Sequence, residues 1–413
     1  MSASASLKLR FGSTNAIYLL EAIAIGRKEP GWVLEIGRTM TKPVIKVAFV
    51  GGGWMARAHA RAIASINVLG MVDAHLELSS ILTRDPSKVG ALASLIGFTK
   101  GVATLEEIVD DEDIEIVAVL SPTQDHFRTV SALLESGKTL LVEKPLTTDL
   151  VTSNQLAAML HSGSGSDINS IAAVGYNYRF VPAVELMRDL VLQGKIGRVR
   201  QFRGRYDQSY ALDRAKRKGW RFEDFVGGSS VGDYSHLVDL AHRFVGDFDV
   251  SYSQLWSFSD SDNSLRRISA GEASEDSFFA LGSTESQVVT LAGGRIHNGR
   301  DNFLEIEVEG EEGTLIWNLE DMNKLKLFQR SHPNGSTLNT DGFREVLVSD
   351  LDHPFMERWW GSGHTLGWAD TFVHEWSELV QCHIEAETNF PALASFEEAA
   401  QVQRSVDLIR ELA

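Results

Sequence analysis

The feature that most constrains this chain is an apolar, β-branched run, Pro43 to Val50, that ends in Gly51-Gly-Gly53 and passes through Trp54, Met55 and Ala56 into a helix-like stretch reaching Leu69. Such a run predicts a buried strand, a tight turn and a helix in direct succession. Gly51 permits the turn out of the strand, Gly53 lets a ligand approach the backbone, and Ala56 allows the helix to pack close to the strand. The start of that helix, at Trp54 and Met55, offers free N–H groups and the positive end of the helix dipole. Together these features predict a cradle for the pyrophosphate of a dinucleotide.

A chain of 413 residues exceeds one ordinary core and predicts more than one domain. Its net charge of −17 argues against binding to a nucleic-acid backbone, which needs an excess of Lys and Arg. The single cysteine, Cys382, excludes an internal disulfide framework and fits a reducing, cytoplasmic compartment. No stretch has the length of a membrane span, and no His-Glu-x-x-His or similar spacing calls for a metal. Lys8, Arg10 and the apolar run Ala16 to Leu20 resemble a targeting peptide, but Glu21 interrupts the run and no small-residue cleavage site follows. Residues 1–43 are therefore read as a disordered extension, and Met40 as a point from which a functional chain can begin.

After the glycines, His75 to Leu82 reads as a second strand, Leu105 to Ile108 as helix, Ile114 to Leu120 as strand, Phe127 to Ser136 as helix and Thr139 to Val142 as strand. This alternation predicts a parallel, doubly wound Rossmann sheet with its ligand crevice beyond the strand C-termini. Thr83 and Arg84, at the end of the second strand, suit the 2′-phosphate of NADP slightly better than the free ribose of NAD, while Asp85 reads as a turn cap before Pro86. Ser121-Pro122-Thr123 and Glu143-Lys144-Pro145 fall at two further strand ends.

Taken in order, the glycine string, Ser121-Pro122-Thr123-Gln-Asp-His126, Glu143-Lys144-Pro145, Gly175-Tyr-Asn177-Tyr-Arg179-Phe180 and the segment Gly228 to Asp239 resemble the Gfo/Idh/MocA oxidoreductases. The resemblance runs from about residue 44 to the C-terminus, with Glu-Lys-Pro as its most specific short element. It implies a Rossmann domain over 44–170 and, over 171–413, an α+β domain with a large, mostly antiparallel open sheet that binds substrate and forms a homodimer or homotetramer. It places Ser121, Pro122, Thr123, His126, Glu143 and Lys144 with the glycines, Thr83 and Arg84 around NAD or NADP. His126, like His59, reads from its own surroundings as a helix-start or packing residue.

The resemblance further makes Lys144 the group that polarises the reacting oxygen, His236 the base, and Asp233 the carboxylate that orients it. Asn177 and Arg179 are expected beside the substrate, with Arg179 read equally as a residue that holds the domains together. The family sets that aspartate four residues before the histidine, whereas here Gly232 holds that place and Asp233 stands three before. On a continuous helix Asp233, His236 and Asp239 share a face, so Asp239 is a second candidate support.

Past residue 180 the runs Val199 to Tyr206, Ser251 to Phe258, Gln287 to Ala292, Leu304 to Glu309 and Thr314 to Asn318 read as strands, with a turn at Gly310 to Gly313. Ser259 to Ser277 reads as a loop, and Trp359-Trp360 as core. The expected activity is hydride transfer between nicotinamide and a secondary alcohol carbon of a small polyhydroxylated substrate: a sugar, a cyclitol such as inositol, or an anhydrosugar. The alternative is a catalytically inactive dinucleotide-binding regulator of the same fold.

Overall fold

A computed structural model describes residues 42–162, 171–213, 217, 222, 230–258, 264–269, 271–330, 341–386 and 391–413. The expected extension 1–43, the proposed start at Met40 and the glycines Gly227 and Gly228 lie almost wholly outside the described residues.

The first sheet is formed by β1 (Val44–Val50), β2 (His75–Leu82), β3 (Lys100–Val102), β4 (Ile114–Val119), β5 (Thr139–Glu143) and β6 (Ala172–Gly175). Its order is β3-β2-β1-β4-β5-β6 and every pairing is parallel. The near-continuous apolar strands follow from burial on both faces. Ala48 and Val50 point into one core with Val117, Val119, Leu140 and Val142, whereas Val47 and Phe49 point into another with Ile116, Leu141 and Ile63. The order reverses between β1 and β4, which opens a crevice at the strand ends carrying Gly51 and Ser121.

The second sheet holds nine strands: β7 (Val199–Asp207), β8 (Asp249–Phe258), β9 (Leu265–Ile268), β10 (Ser277–Ser283), β11 (Val288–Gly294), β12 (Phe303–Gly310), β13 (Gly313–Asn318), β14 (Lys324–Gln329) and β15 (Arg344–Leu347). Their order is β15-β14-β13-β12-β7-β11-β10-β8-β9, antiparallel except where β7 meets β11. The alternation of Leu315 and Trp317 inward with Thr314 and Ile316 outward shows one covered face, and the β12–β13 turn falls at the glycines expected to form it. The loop expected over Ser259 to Ser277 is corrected in part: Leu265–Ile268 is an edge strand paired with β8. Its Leu-Arg-Arg-Ile sequence is too short and too charged to announce a strand, as edge strands commonly are.

Two elements cross the division expected at residue 170. Strand β6 completes the first sheet. The helix Thr371–Glu385, nearly 200 positions downstream of it in the chain, packs Phe372, Val373, Trp376 and Leu379 against the core of Val47 and Phe49. Phe49 and Trp376 are fully buried, and each such aromatic contributes about 1.5–3 kcal/mol by leaving water. Among the described residues no helix is long and apolar enough to cross a membrane.

Candidate active site

The glycine turn is built as its spacing predicts. Gly51 has φ 121°, and a Cβ there would lie 2.5 Å from the Leu120 carbonyl carbon and oxygen, so only glycine fits between β1 and the end of β4. Gly53 caps the helix Trp54–Leu69, and a Cβ on it would meet nothing within 4 Å. The protein itself gives no packing reason for that glycine; close approach by a ligand does. The helix has no acidic residue in its first turn and no side-chain cap, leaving its positive end for phosphate. Ala56 is fully buried under the helix, as close packing on the strand requires. Met55 is half-buried, and the exposed Trp54 stacks on Trp368 with ring centroids 5.6 Å apart. These residues fit a dinucleotide.

At the end of β2, Thr83 donates its hydroxyl to the Asp85 carbonyl at 3.1 Å. Asp85 caps the helix Pro86–Ile96 by accepting from the backbone N–H of Ser87, and it pairs with Lys88 at 2.8 Å. Lys88 and Ser87 hold its carboxyl below the usual carboxylate range. The Arg84 side chain, at the end of β2, is 82% exposed and lies 3.9 Å from Asp125.

Beyond β4, Ser121 Oγ is buried without a hydrogen-bond partner, Pro122 is half-buried and Thr123 is buried at the start of a short 3-10 turn. Beyond β5, Glu143 precedes the cis Lys144–Pro145 peptide. Lys144 Nζ donates to the backbone carbonyl of Asp233 at 2.9 Å, which brings the first sheet's lysine to the helical segment carrying His236. His236 is buried, with its ring between those of Tyr176 and Tyr178 at centroid distances of 5.7 and 4.6 Å. Its pKa is held well below the usual imidazole value, first by burial and then by the positive charge of Lys144. Both causes favour the neutral ring, which keeps one nitrogen lone pair at some cost in basicity.

The carboxylate of Asp233 does not orient this histidine. Nδ1 of His236 is buried with no hydrogen-bond partner, while Asp233 Oδ2 accepts from the Tyr210 hydroxyl at 2.5 Å. The reason is a break in the helix. Ser230–Asp233 and Ser235–Val245 are separate helical pieces joined at Tyr234, so residues three apart no longer share a face across the joint. Asp233 instead contributes its main-chain oxygen to Lys144 and its carboxylate to Tyr210.

Arg179 and Asp239 are brought together, away from the reacting groups. Both are 1% exposed; Arg179 Nε lies 3.0 and 2.9 Å from the two carboxylate oxygens, and its Nη1 reaches Glu398 at 3.1 Å. An ion pair this deep ties the helix of His236 to the C-terminal helix Phe396–Glu411 and leaves neither group for substrate. Asn177 is buried and donates its amide to Thr371 Oγ1 at 2.8 Å, linking the Tyr-Asn-x-Arg turn to the helix that covers the first sheet.

Around His236 the structure adds residues that the sequence reading missed. Asn302 donates to the Tyr178 hydroxyl at 3.2 Å, and its Oδ1 accepts from Tyr206 and Gln208, each at 2.8 Å. In sequence the segment Arg295 to Asn302 reads either as a connection whose concentrated hydrogen-bonding groups suit a sugar ring or as an ordinary surface loop, without singling out Asn302; its buried Arg295 pairs with Asp276 at 2.7 Å. Trp359 donates its indole N–H to His374 at 2.7 Å, in keeping with a core role, although its neighbour Trp360 is half-exposed.

A parallel sheet with a glycine cradle, and a lysine and neutral histidine converging beyond its strand ends, define a dinucleotide-dependent oxidoreductase. Residues 45–165 match the oxidoreductase family with an NAD-binding Rossmann fold, and residues 188–413 match its C-terminal alpha/beta domain. The chain belongs to the Gfo/Idh/MocA family. It is 27% identical over 384 residues to levoglucosan dehydrogenase of Pseudarthrobacter phenanthrenivorans, covering 88% of this chain and 95% of the relative. Inositol 2-dehydrogenase of Rhizobium meliloti is 27% identical over 209 residues, covering 50% of this chain and 57% of the relative. A solved levoglucosan dehydrogenase in complex with NADH and levoglucosan superposes with a TM-score of 0.80 at 27% identity, covering 90% of this chain and 97% of that one. The chain is accordingly an NAD-binding dehydrogenase acting on CH–OH groups.

Proposed function

We propose that this enzyme oxidises a secondary alcohol of a cyclic polyol, an anhydrosugar of the levoglucosan kind before an inositol, with Lys144 and His236 as the reacting protein groups. The observation that carries the reading is the hydrogen bond from Lys144 Nζ to the Asp233 carbonyl at 2.9 Å, three residues before the buried His236. Levoglucosan is the ligand of a relative that matches nearly the whole chain, whereas the inositol dehydrogenase matches half of it.

Bound NAD(P) supplies the hydride acceptor. His236 takes the hydroxyl proton, and the Lys144 ammonium donates a hydrogen bond to the oxygen as negative charge builds on it. Tyr176 and Tyr178 keep water from the imidazole, and Asn302 fixes the Tyr178 hydroxyl. Asp233 acts on this reading by anchoring Lys144 through its main chain. Asn177 and Arg179 shape the site from behind.

For the cofactor we propose that Arg84 accepts a 2′-phosphate, so that NADP serves as well as NAD. Asp85 is occupied as a helix cap, which removes the acid that would select a free ribose. The exposed Tyr252, Phe279 and Val288 on the second sheet support association into a homodimer or homotetramer, to be checked by light scattering.

The deciding experiment is absorbance at the reduced-nicotinamide band with NAD or NADP and a panel of levoglucosan, inositols and aldoses. Turnover of an anhydrosugar that is lost in Lys144→Ala supports the reading. Tight dinucleotide binding without turnover of any member supports the regulator instead.

A further inference from the structure

Lys144 lies on a connection without regular structure between β5 and the helix Leu150–Ser162, yet its two neighbours in the chain are both held by buried histidines. On the N-terminal side the chain of contacts begins at Trp376, whose indole N–H donates to His59 Nδ1 at 2.8 Å. An indole nitrogen only donates, so Nδ1 carries the lone pair and the ring proton sits on Nε2. Nε2 then donates to Glu143 Oε1 at 3.0 Å. The other oxygen of Glu143 accepts the backbone N–H of Lys144 at 3.1 Å. His59 is fully buried, so this line is shielded from competing water.

On the C-terminal side, His126 is 1% exposed and turns Nδ1 to the carbonyl oxygens of Pro145 and Leu146, each at 3.1 Å. Its Nε2 faces the Ser121 carbonyl at 2.8 Å. Burial favours the neutral ring, which carries one N–H, so it donates either to the connection after β5, at Pro145 and Leu146, or to the one after β4, at Ser121.

We propose that His59 and His126 are positioning residues for Lys144, one acting through Glu143 and the other through the carbonyls of Pro145 and Leu146. A lysine side chain has four rotatable bonds, and the place of its Nζ depends on a fixed backbone origin. Two rigid rings, each reaching a residue adjacent to the lysine or one further on, supply that origin from both sides. The inference rests on the reading of Lys144 as a reacting group. It goes beyond that reading by giving work to two histidines that the chemistry leaves aside.

The test uses the full chain with His59→Phe, His59→Gln, His126→Phe and His126→Gln. Phenylalanine keeps the aromatic packing of His59 on Phe372, 4.9 Å away, and removes both hydrogen bonds. At 59 glutamine retains an N–H near the place of Nε2; at 126 its flexible amide can turn an N–H to the Pro145 and Leu146 carbonyls. Misplacing a reacting group by about 1 Å costs roughly 100-fold, so kcat is expected to fall by about that factor in the Phe variants. KM and dinucleotide affinity should move less than about 3-fold, and the Gln variants should recover at least about 10-fold in kcat, if the clamps act on orientation.

A second readout needs no substrate: the pH dependence of Lys144 labelling by an amine-reactive sulfonate, read by peptide mass spectrometry. Its midpoint is expected to move in the Phe variants and to return in the Gln variants. If no polyol is turned over, the substrate reading fails while the labelling still decides the clamp. Should a Phe variant not fold, the matching Leu variant, which also lacks the hydrogen bonds, takes its place against the Gln variant and the same outcomes decide. Folded variants with unchanged kcat and an unchanged labelling midpoint, or equal losses in Phe and Gln, overturn the proposal.

Discussion

The cofactor side and the substrate side of this site are made of different materials. The cradle at Gly51 to Ala56 is backbone: a left-handed turn, an open position at Gly53 and a helix start with no competing cap. The region around His236 is side chain on side chain, with Tyr178, Tyr206, Asn302 and Gln208 linked by hydrogen bonds and Arg179 locked on Asp239. A site made of backbone tolerates no change at its glycine and little depends on what surrounds it. A site made of side chains can change specificity by exchanging any member, at the cost of long-range dependence on distant segments.

The largest effect that would sharpen this contrast is expected at the point where both sides meet. Lys144→Ala should lower kcat by roughly 10²–10⁴-fold while dinucleotide binding, followed by fluorescence, stays near wild type. A parallel loss of binding would mean that the lysine belongs to the cradle rather than to the chemistry. Next, Gly51→Ala should abolish dinucleotide binding and destabilise the fold by about 1–3 kcal/mol or more, from positive φ and contact with the Leu120 carbonyl. On the other side, Asp239→Ala leaves the buried Arg179 with Glu398 as its remaining acidic partner, for an expected loss of about 3 kcal/mol in denaturant titration with substrate KM little changed. A raised KM would return Arg179 to the substrate.

Acid should act through the side-chain half. His242 and His374 are buried and their pKa values are lowered to about 4, with burial as the largest cause. As pH falls below about 6.5 the unfolded chain takes up protons that the folded chain refuses, so stability falls between about 6.5 and 4. Each group should cost about 3 kcal/mol over that window, an order-of-magnitude figure to be checked by urea titration at several pH values. Replacing either His by Gln should flatten the slope.

A smaller shift tests the cradle's specificity. Arg84→Ser should reduce kcat/KM for NADP relative to NAD by about 10-fold, or about 1.4 kcal/mol. An unchanged ratio would remove Arg84 from cofactor choice. The smallest concerns Glu375, which is fully buried with both oxygens unpartnered and whose pKa is raised well above the usual range by burial and by Glu143. The folded state keeps this proton while the unfolded chain releases it above about 4.5, so the group costs stability as pH rises. Glu375→Gln should therefore raise the melting temperature at pH 8, by roughly 1 kcal/mol equivalent, and not at pH 4.

What the sequence discloses follows the same divide. The cradle is legible because its parts are consecutive: a strand, glycines with fixed duties and a helix lie within Val44 to Leu69. The strands β1, β2, β4 and β5 are legible as apolar runs bounded by turns, and β12–β13 by its glycine pair. The break at Tyr234 is not legible, since Asp233, His236 and Asp239 suit a continuous helix equally well, and tertiary packing decides between them. Partnerships such as Arg179 with Asp239, 60 positions apart, or Trp376 with His59, 317 apart, leave no local pattern. Asn302 lies in a polar connection whose neighbours hint at a site without singling it out, and Glu375 carries no signal in its neighbours. The strand β9 and the edge strand β15 are too short for alternation to show.

The helix Thr371–Glu385 also bears on how the molecule is made. Phe49 and Val47 receive part of their cover from Phe372 and Trp376, and His59 receives its only indole donor there. During synthesis the ribosome must deliver more than 300 residues after β1 before that face of the nucleotide-binding sheet is sealed. A chain halted before residue 371 has the glycines of its cradle and lacks the back wall.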